Sequence, residues 1–386
     1  MTAKPVYLDY NATTPVDPRV LEAMMPALTH AFGNPSSETH ALGRQAKEMV
    51  ETSRGQVASL IGASAREIVF TSGATESCNL AIKGVAKMYR ERGNHIVVSA
   101  VEHKAVLEPC KRLEQEGFAV TTLWPDRFGS VSVQQVSDAI TTQTILVCVM
   151  MANNVVGTIN PVEEIGQLCR KRGVLFFCDA TQAVGKLAVS VAQIHADLLA
   201  LSSHKIYGPK GSGALYVRGK SPRVKLAAQI DGGGQEHFRR SGTLNVPGIV
   251  GLGMACKLCE EELGGRLSLP SELRDRLEKG LLATIPDAQV HGHPTQRLPN
   301  TLSISFPGID AASLLVCASD IAASAGSACE SGTTGANYVL RAMGVGESLA
   351  AGMVRFSLGR FTTEQEIDYA IEQVGRCIVE FRSKAS

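Results

Sequence analysis

The sequence predicts an α/β architecture: a large domain built on a mostly parallel sheet, followed by a smaller α+β domain at the C-terminal end. Three observations carry this. Short apolar runs such as Val174–Cys178 and Ala196–Leu201 recur between helical stretches without the alternation of a half-exposed strand. Each run ends in a cluster of polar residues. Near residues 260–270 the strand–helix alternation gives way to a different pattern.

Taken in order, Ile68-Val69-Phe70 reads as a short strand, and Thr71-Ser72-Gly73-Ala74-Thr75-Glu76 turns into a helix from about Ser77. His95–Ser99 is the next strand, running into Val101-Glu102-His103; Ile145–Met151 follows and ends at Asn153-Asn154. Val174–Cys178 leads to Asp179-Ala180-Thr181-Gln182, Ala196–Leu201 to Ser202-Ser203-His204-Lys205, and Gly213–Val217 closes the series. Beyond it come a helix near Ser271–Ala283, a strand near Asn300–Phe306, a helix near Ala311–Ala318 and terminal helices. That last unit, about 120 residues, has an ordinary domain size. Strands joined by helices in this way bring their C-terminal ends to one sheet edge, where open α/β sheets bind ligands.

Composition narrows the function classes. The 386 residues suffice for a large core and two domains. Lys and Arg number 38 against 37 Asp and Glu, which speaks against nucleic acid or an anionic membrane as the main partner. No apolar run approaches the roughly 20 residues of a membrane span. The start, Met1–Asp9, lacks the apolar core of a signal peptide, so a cytoplasmic location is expected. The ten cysteines are dispersed, and a reducing compartment would keep them as thiols. Cys256 and Cys259 form the only close pair, and neither a second pair nor a nearby histidine completes a tetrahedral zinc set, so no metal is expected.

Asp179 and Lys205, each at the end of a buried strand, form the pair that pyridoxal 5'-phosphate (PLP) needs: an amine for a Schiff base and a carboxylate for the pyridinium nitrogen. The Thr71–Thr75 turn offers hydroxyls and backbone N–H groups at a helix N-terminus, suited to phosphate, although simple helix capping reads it as well. His103 alone reads as a surface histidine, whereas His204 shares a strand end with Lys205. Gly208–Gly213 matches neither the P-loop nor the dinucleotide fingerprint and reads as a turn.

Together, Tyr7–Pro15, Phe32–Ser37, Thr71–Ser77, Glu102-His103, Asp179–Gln182, Ser203-His204-Lys205, Arg240–Thr243 and Arg355–Leu358 resemble the cysteine desulfurases, fold-type I PLP enzymes of the class V aminotransferase group. The resemblance runs in order from Tyr7 to about Ile367 and is closest to the nitrogenase-associated and iron–sulfur-cluster members. It implies that Lys205 holds PLP and moves the substrate's Cα proton, that Asp179 pairs with the pyridinium nitrogen, and that His103 stacks on the ring and assists proton transfer. It further implies that Gln182 bonds the phenolic oxygen. The phosphate would be held by Ala74, Thr75, Ser202 and His204, joined by Thr243 from the partner subunit of a homodimer. Asn154 and Arg355 would hold the substrate carboxylate. The implied division is residues 15–260 as the PLP-binding domain, and 1–14 with 261–386 as the small domain.

Ala323–Gly335 is small, polar and glycine-rich, unsuited to a core, and reads as a mobile loop of about residues 323–337. A structural cysteine more often lies in an apolar strand, as Cys148 and Cys178 do; Cys329 lies in this loop instead. Gly326-Ser327-Ala328-Cys329 matches the family's nucleophile motif. The implied reaction converts L-cysteine to L-alanine and leaves the sulfur on Cys329 as a persulfide. The sulfur then passes to an acceptor protein for iron–sulfur cluster assembly, tRNA thiolation or DNA phosphorothioation. A related C–S lyase, a selenocysteine lyase or a non-catalytic scaffold are the rival readings.

Two positions depart from the family pattern. Val155 follows the paired asparagines where a glutamate is common, and Glu330 follows Cys329 where Thr or Ser is common. A carboxylate beside a thiol disfavours the thiolate. The expected outcome is slower sulfur attack or a narrower pH range than in typical members, with Glu330→Gln moving Cys329 alkylation to lower pH. A low Cys329 thiol pKa in the unaltered protein would contradict it.

Overall fold

The computed structural model describes residues 5–262, 268–325 and 337–385. Strand β1 spans Val6–Tyr7, β2 Ile68–Thr71, β3 His95–Ser99, β4 Ala119–Leu123, β5 Thr144–Cys148, β6 Leu175–Asp179, β7 Leu198–Ser202 and β8 Gly213–Val217. The C-terminal half adds β9 (Gln289–His291), β10 (Thr301–Ser305), β11 (Ile321–Ala322), β12 (Ser324–Ala325) and β13 (Met353–Ser357).

The main sheet has the order β2-β8-β7-β6-β5-β3-β4. Pairings among β7, β6, β5, β3 and β4 are parallel, as expected, while β8 runs antiparallel to both β7 and β2. Strand β2 therefore points the same way as the parallel set, and β8 alone is reversed. The sequence reading missed β4 at the sheet edge. Its Ala-Val-Thr-Thr-Leu is mostly half-exposed or exposed, so it lacks the continuous apolar run of its neighbours. The strand expected over Ile145–Met151 ends at Cys148, although the N–H groups of Val149 and Met151 still donate to the Phe177 and Asp179 carbonyls of β6 at 3.2 and 3.0 Å.

The alternation of side chains across a strand divides the core in two. Val97, Val147, Phe176, Leu199 and Leu201 pack on one face with the helices Ala41–Leu60, Val162–Arg172 and Val246–Glu262, including Val57, Ile165 and Leu252. Ile96, Val98, Leu146, Phe177 and Ala200 pack on the other with the helix Ala74–Tyr89 through Leu80 and Val85. Phe176 and Phe177, adjacent in sequence, are fully buried on opposite faces, each worth about 1.5–3 kcal/mol in burial.

A second, antiparallel sheet, β12-β13-β10-β9, packs Leu302, Ile304, Val354 and Phe356 with the helices Ser268–Thr284 and Glu364–Ala385 through Leu277, Leu281, Ile367 and Val374. Strand β1, 250 residues and more from these helices in sequence, pairs in parallel with β11. The expectation that every cysteine is a thiol is corrected here. Cys317, closing the helix Ala311–Cys317, is joined by a disulfide to Cys377 of the C-terminal helix. The two lie 60 residues apart, and nothing in their spacing foretold that the helices would bring them together.

One buried ion pair fixes the strand that leads into the site. Arg54 meets Glu236 through two bonds of 2.8 Å and donates to the Ile68 carbonyl at 3.0 Å, while Glu236 also accepts from the Phe70 N–H at 2.8 Å. Both side chains are almost wholly buried. Glu236→Ala leaves the buried Arg54 guanidinium with the half-exposed Glu51, 3.1 Å from its Nε, as its remaining anionic partner, and is expected to cost about 3 kcal/mol. The measurement is the thermal unfolding midpoint, with R54M/E236L expected to recover part of the loss.

Candidate active site

Strand β2 ends at Thr71, and Gly73 starts the helix Ala74–Tyr89 with φ near +149°, a conformation that suits glycine alone. No side chain among the described residues caps this helix. Thr71 Oγ1 is engaged with Ser77 Oγ at 2.8 Å and with the Gly73 carbonyl at 3.1 Å, so helix capping by Thr71 is not what the turn provides. The first-turn N–H groups are thus left for an anion. Gly213 of β8 lets this turn approach β7, since a Cβ there would come within 2.6 Å of Gly73 Cα. Ser202 closes β7 beside it.

Asp179, the last residue of β6, is buried and accepts from the Thr181 N–H at 2.9 Å. His103 begins the helix Lys104–Gln115, and its Nδ1 accepts from the Ala105 N–H at 3.1 Å, which leaves the proton of the neutral ring on Nε2. Desolvation by the surrounding wall lowers the pKa of the exposed His103 ring, with Asp179 opposing the effect and Lys205 adding to it. His204 is pushed down to about 4 by burial, reinforced by Lys205, Lys210 and Lys186. Beneath the site, Glu102 accepts from the Met150 N–H at 2.6 Å, and complete burial raises its carboxyl well above the usual range, which favours the protonated form.

Lys205 follows β7 in a short 3₁₀ turn, and its Nζ donates to the carbonyls of Asn11 at 2.6 Å and Ala12 at 2.7 Å. Asn11 is fixed in turn: its N–H donates to Ser357 Oγ and its Nδ2 to Thr301 Oγ1, both at 2.9 Å. Arg355 comes from β13, donating to the Asn154 carbonyl at 3.0 Å and to Asp9 Oδ1 at 2.7 Å.

These residues surround a cavity of about 570 Å³. Its wall includes Ala74, Thr75, His103, Asn154, Asp179, Gln182, Ser202, His204, Lys205 and Arg355, ten of the twelve residues singled out in the sequence. Thr243 is exposed and does not line it. Cys329 lies outside the described residues, but the chain on either side of it does not. Ser324 of β12 pairs with Arg355, and Asn337 and Tyr338 line the cavity, with Tyr338 Oη donating to the Glu102 carbonyl at 2.6 Å. Sequence reasoning missed Asn11, Ala12, Met150, Thr181 and Tyr338. The first two act through backbone carbonyls, which leave no trace in side-chain chemistry, although they fall within the Tyr7–Pro15 motif.

Three buried polar atoms of wall residues have no partner among the described residues: Thr181 Oγ1, Asn154 Oδ1 and Arg355 Nε. Each such atom costs about 1–3 kcal/mol if left unpaired, so the cavity is built for a polar ligand. An uncapped helix end, a buried carboxylate, a lysine and an arginine in one cavity fit PLP and an amino-acid substrate, and define an enzyme of the PLP class.

The chain belongs to the class-V aminotransferase family, whose model matches residues 6–370, and its activity is that of the family's PLP-dependent cysteine desulfurases. It is 51% identical over 378 residues to cysteine desulfurase IscS of Anaeromyxobacter sp. (strain K), covering 98% of this chain and 93% of that protein. Among solved structures, a NifS-like protein superposes with a TM-score of 0.91 at 40% identity, covering 98% of this chain and 100% of the other. SspA in complex with cysteine superposes at 0.81 with 37% identity, covering 92% and 99%. The lyase and scaffold readings are not favoured.

The histidines set a pH dependence. In the unfolded chain His204 takes up a proton near pH 6.5, in the folded apoprotein only near pH 4. Between these values the unfolded state binds more protons, so stability rises with pH across about 4 to 6.5. His204→Asn is expected to flatten this rise in the apoprotein's thermal midpoint, and an unchanged slope would count against it.

Proposed function

We propose that Lys205 carries the cofactor and moves the Cα proton of L-cysteine, and that Cys329 receives the sulfur. The observation that carries this reading is the convergence of Lys205, Asp179, His103 and Arg355 on one cavity that Asn337 and Tyr338 line on one flank of the Cys329 segment, while Ser324 on the other flank pairs with Arg355. When bound, PLP supplies the electron sink that acidifies the Cα proton and labilises the bond to sulfur. Asp179 would keep the pyridinium nitrogen protonated, and Gln182 would donate to the phenolic oxygen. The helix end at Ala74 and Thr75, with Ser202 and His204, would take the phosphate. Arg355 would offer its Nε, unpaired among the described residues, to the substrate carboxylate, and Asn154 Oδ1 would be left for a donor. His103, with Nδ1 committed to Ala105, presents Nε2 for proton transfer.

Cys329, as thiolate, attacks the substrate sulfur. The C–S bond breaks, its electron pair stays with carbon, and the new S–S bond makes Cys329 a persulfide. The three-carbon fragment, once protonated, leaves as L-alanine. Storing sulfur on the protein allows delivery to an acceptor protein serving iron–sulfur cluster assembly or thiolation.

A homodimer completes the site through Thr243 of the partner subunit. Support comes from an exposed apolar face, Leu21, Met25 and Leu28 of the helix Pro18–Thr29 with nearby Phe32, which a lone chain would leave to water. Within this reading residues 15–260 form the cofactor domain, and 1–14 with 261–386 the small domain. We infer a cytoplasmic location from the likeness to the cysteine desulfurases IscS. No helix among the described residues is long and apolar enough to cross a membrane.

The test is brief exposure of the PLP-loaded protein to L-cysteine without reductant, followed by mass spectrometry. One added sulfur on the Cys329 peptide with matching alanine is expected, absent in Cys329→Ala, while Lys205→Ala loses the cofactor's visible band. Unmodified Cys329 with accumulating pyruvate and sulfide would replace the reading by a lyase.

A further inference from the structure

Behind Lys205 lies a second cavity of about 210 Å³, whose wall includes Lys186, Lys205, Tyr207, Cys259, Glu262 and Arg360. Lys186 does not line the first cavity, yet it is bonded to a residue that does. Gly185 explains its placement. With φ near +75°, it lies so close to its neighbours that a Cβ would meet Ile206 Cγ2 at 2.7 Å and Cys259 Sγ at 2.8 Å. From this tight bend Lys186 Nζ donates to Gln182 Oε1 at 2.8 Å and to the Gln182 carbonyl at 3.1 Å.

Gln182 is buried, and its Nε2 donates to the Asn11 carbonyl at 2.9 Å, the same oxygen that accepts from Lys205 Nζ at 2.6 Å. Hydrogen bonds thus run without a break from Lys186 through Gln182 and Asn11 to Lys205. Turning the Gln182 amide over would set its NH₂ against the Lys186 donor and its oxygen against the Asn11 carbonyl, so both ends hold one orientation. In that orientation one Nε2–H remains for the cavity. Asn11 alone is a weak guide, because its carbonyl is shared with Lys205.

We propose that Lys186 is a positioning residue: it locks the Gln182 amide with its second N–H directed to the cofactor's phenolic oxygen, and so sets the ionisation of the cofactor at Lys205. The proposal rests on the role given to Gln182 above. Burial, with Lys205 and Arg355 adding, lowers the Lys186 amine to about 7, while Cys259 opposes this; Glu262, Arg360 and His204 also face it. The neutral amine keeps two N–H groups, the number it donates here, so the lock holds in either form.

The experiment is a pH titration of the visible absorption of the PLP-loaded protein, for the unaltered chain, Lys186→Met, Gln182→Leu and the double variant. A donor to the phenolic oxygen favours the form without the extra proton, so each single variant is expected to raise the midpoint by about one unit, a tenfold change in proton affinity. The double variant is expected to match Gln182→Leu. Lys186→Arg, which keeps the donors, is expected to restore the original midpoint. An unshifted midpoint in Lys186→Met overturns the proposal. So does a Lys186→Met shift that persists in full in the Gln182→Leu background, which would mark a through-space charge effect. If Lys186→Met does not load PLP, Lys186→Arg decides alone: loading at the original midpoint supports the lock, and a shifted midpoint or failure to load overturns it. A visible band whose midpoint ignores Gln182→Leu would remove the role of Gln182 and this proposal with it, while leaving Lys205 and Cys329 untouched. Absence of any band in the unaltered protein would strike at the function itself.

Discussion

A sheet sealed on both faces leaves its polar residues a single way out, and the rest of this enzyme follows from that constraint. Apolar clusters cover both sides of the strands, so a carboxylate or lysine placed mid-strand would be stranded in a medium that penalises it heavily. Thr71, Asp179 and Ser202 each occupy the last position of a strand, and Lys205 lies three residues beyond β7. Because β2 shares the direction of the parallel set, all of these ends open on the same edge. The reversed strand β8 serves the same edge from its N-terminal side, where Gly213 clears the space for the phosphate-binding turn.

Burial then sorts charge within the cavity. His103, His204 and Glu102 are all driven toward their neutral forms by desolvation, with no specific partner needed. The upward shift of Glu102 and the downward shift of His103 both favour uncharged groups beside Asp179. The guanidinium of Arg355 follows another route, keeping Asp9 as an ion-pair partner at 2.7 Å while its Nε has no partner among the described residues.

The two sheets meet through the N-terminal segment. Asn11 bonds to Ser357 and Thr301 of the small sheet and, through its carbonyl, to Gln182 and Lys205 of the large one. Asp9 binds Arg355 two residues earlier. A stretch of three residues thereby sets the distance between the cofactor end and the carboxylate end of the site. Any shift of the small sheet would be felt at the lysine through main-chain carbonyls, which have no rotamers with which to yield.

The sequence by itself determined the strands β3, β5, β6, β7 and β8 to within a few residues, since complete burial writes a continuous apolar run, and it placed Asp179 and Lys205 at strand ends. Edge strand β4 escaped because partial exposure allows threonines and erases that run. The antiparallel β8 was legible as a strand but not in its direction, which depends on pairing rather than on composition. Only the tertiary structure decided that Asn11 and Ala12 hold Lys205, that Lys186 reaches Gln182, that Arg54 clamps Glu236 across 182 residues, and that Cys317 meets Cys377. These contacts join segments distant in the chain, several through backbone carbonyls common to every residue, so no local pattern records them; they exist only once the packed sheets bring the segments within hydrogen-bonding reach.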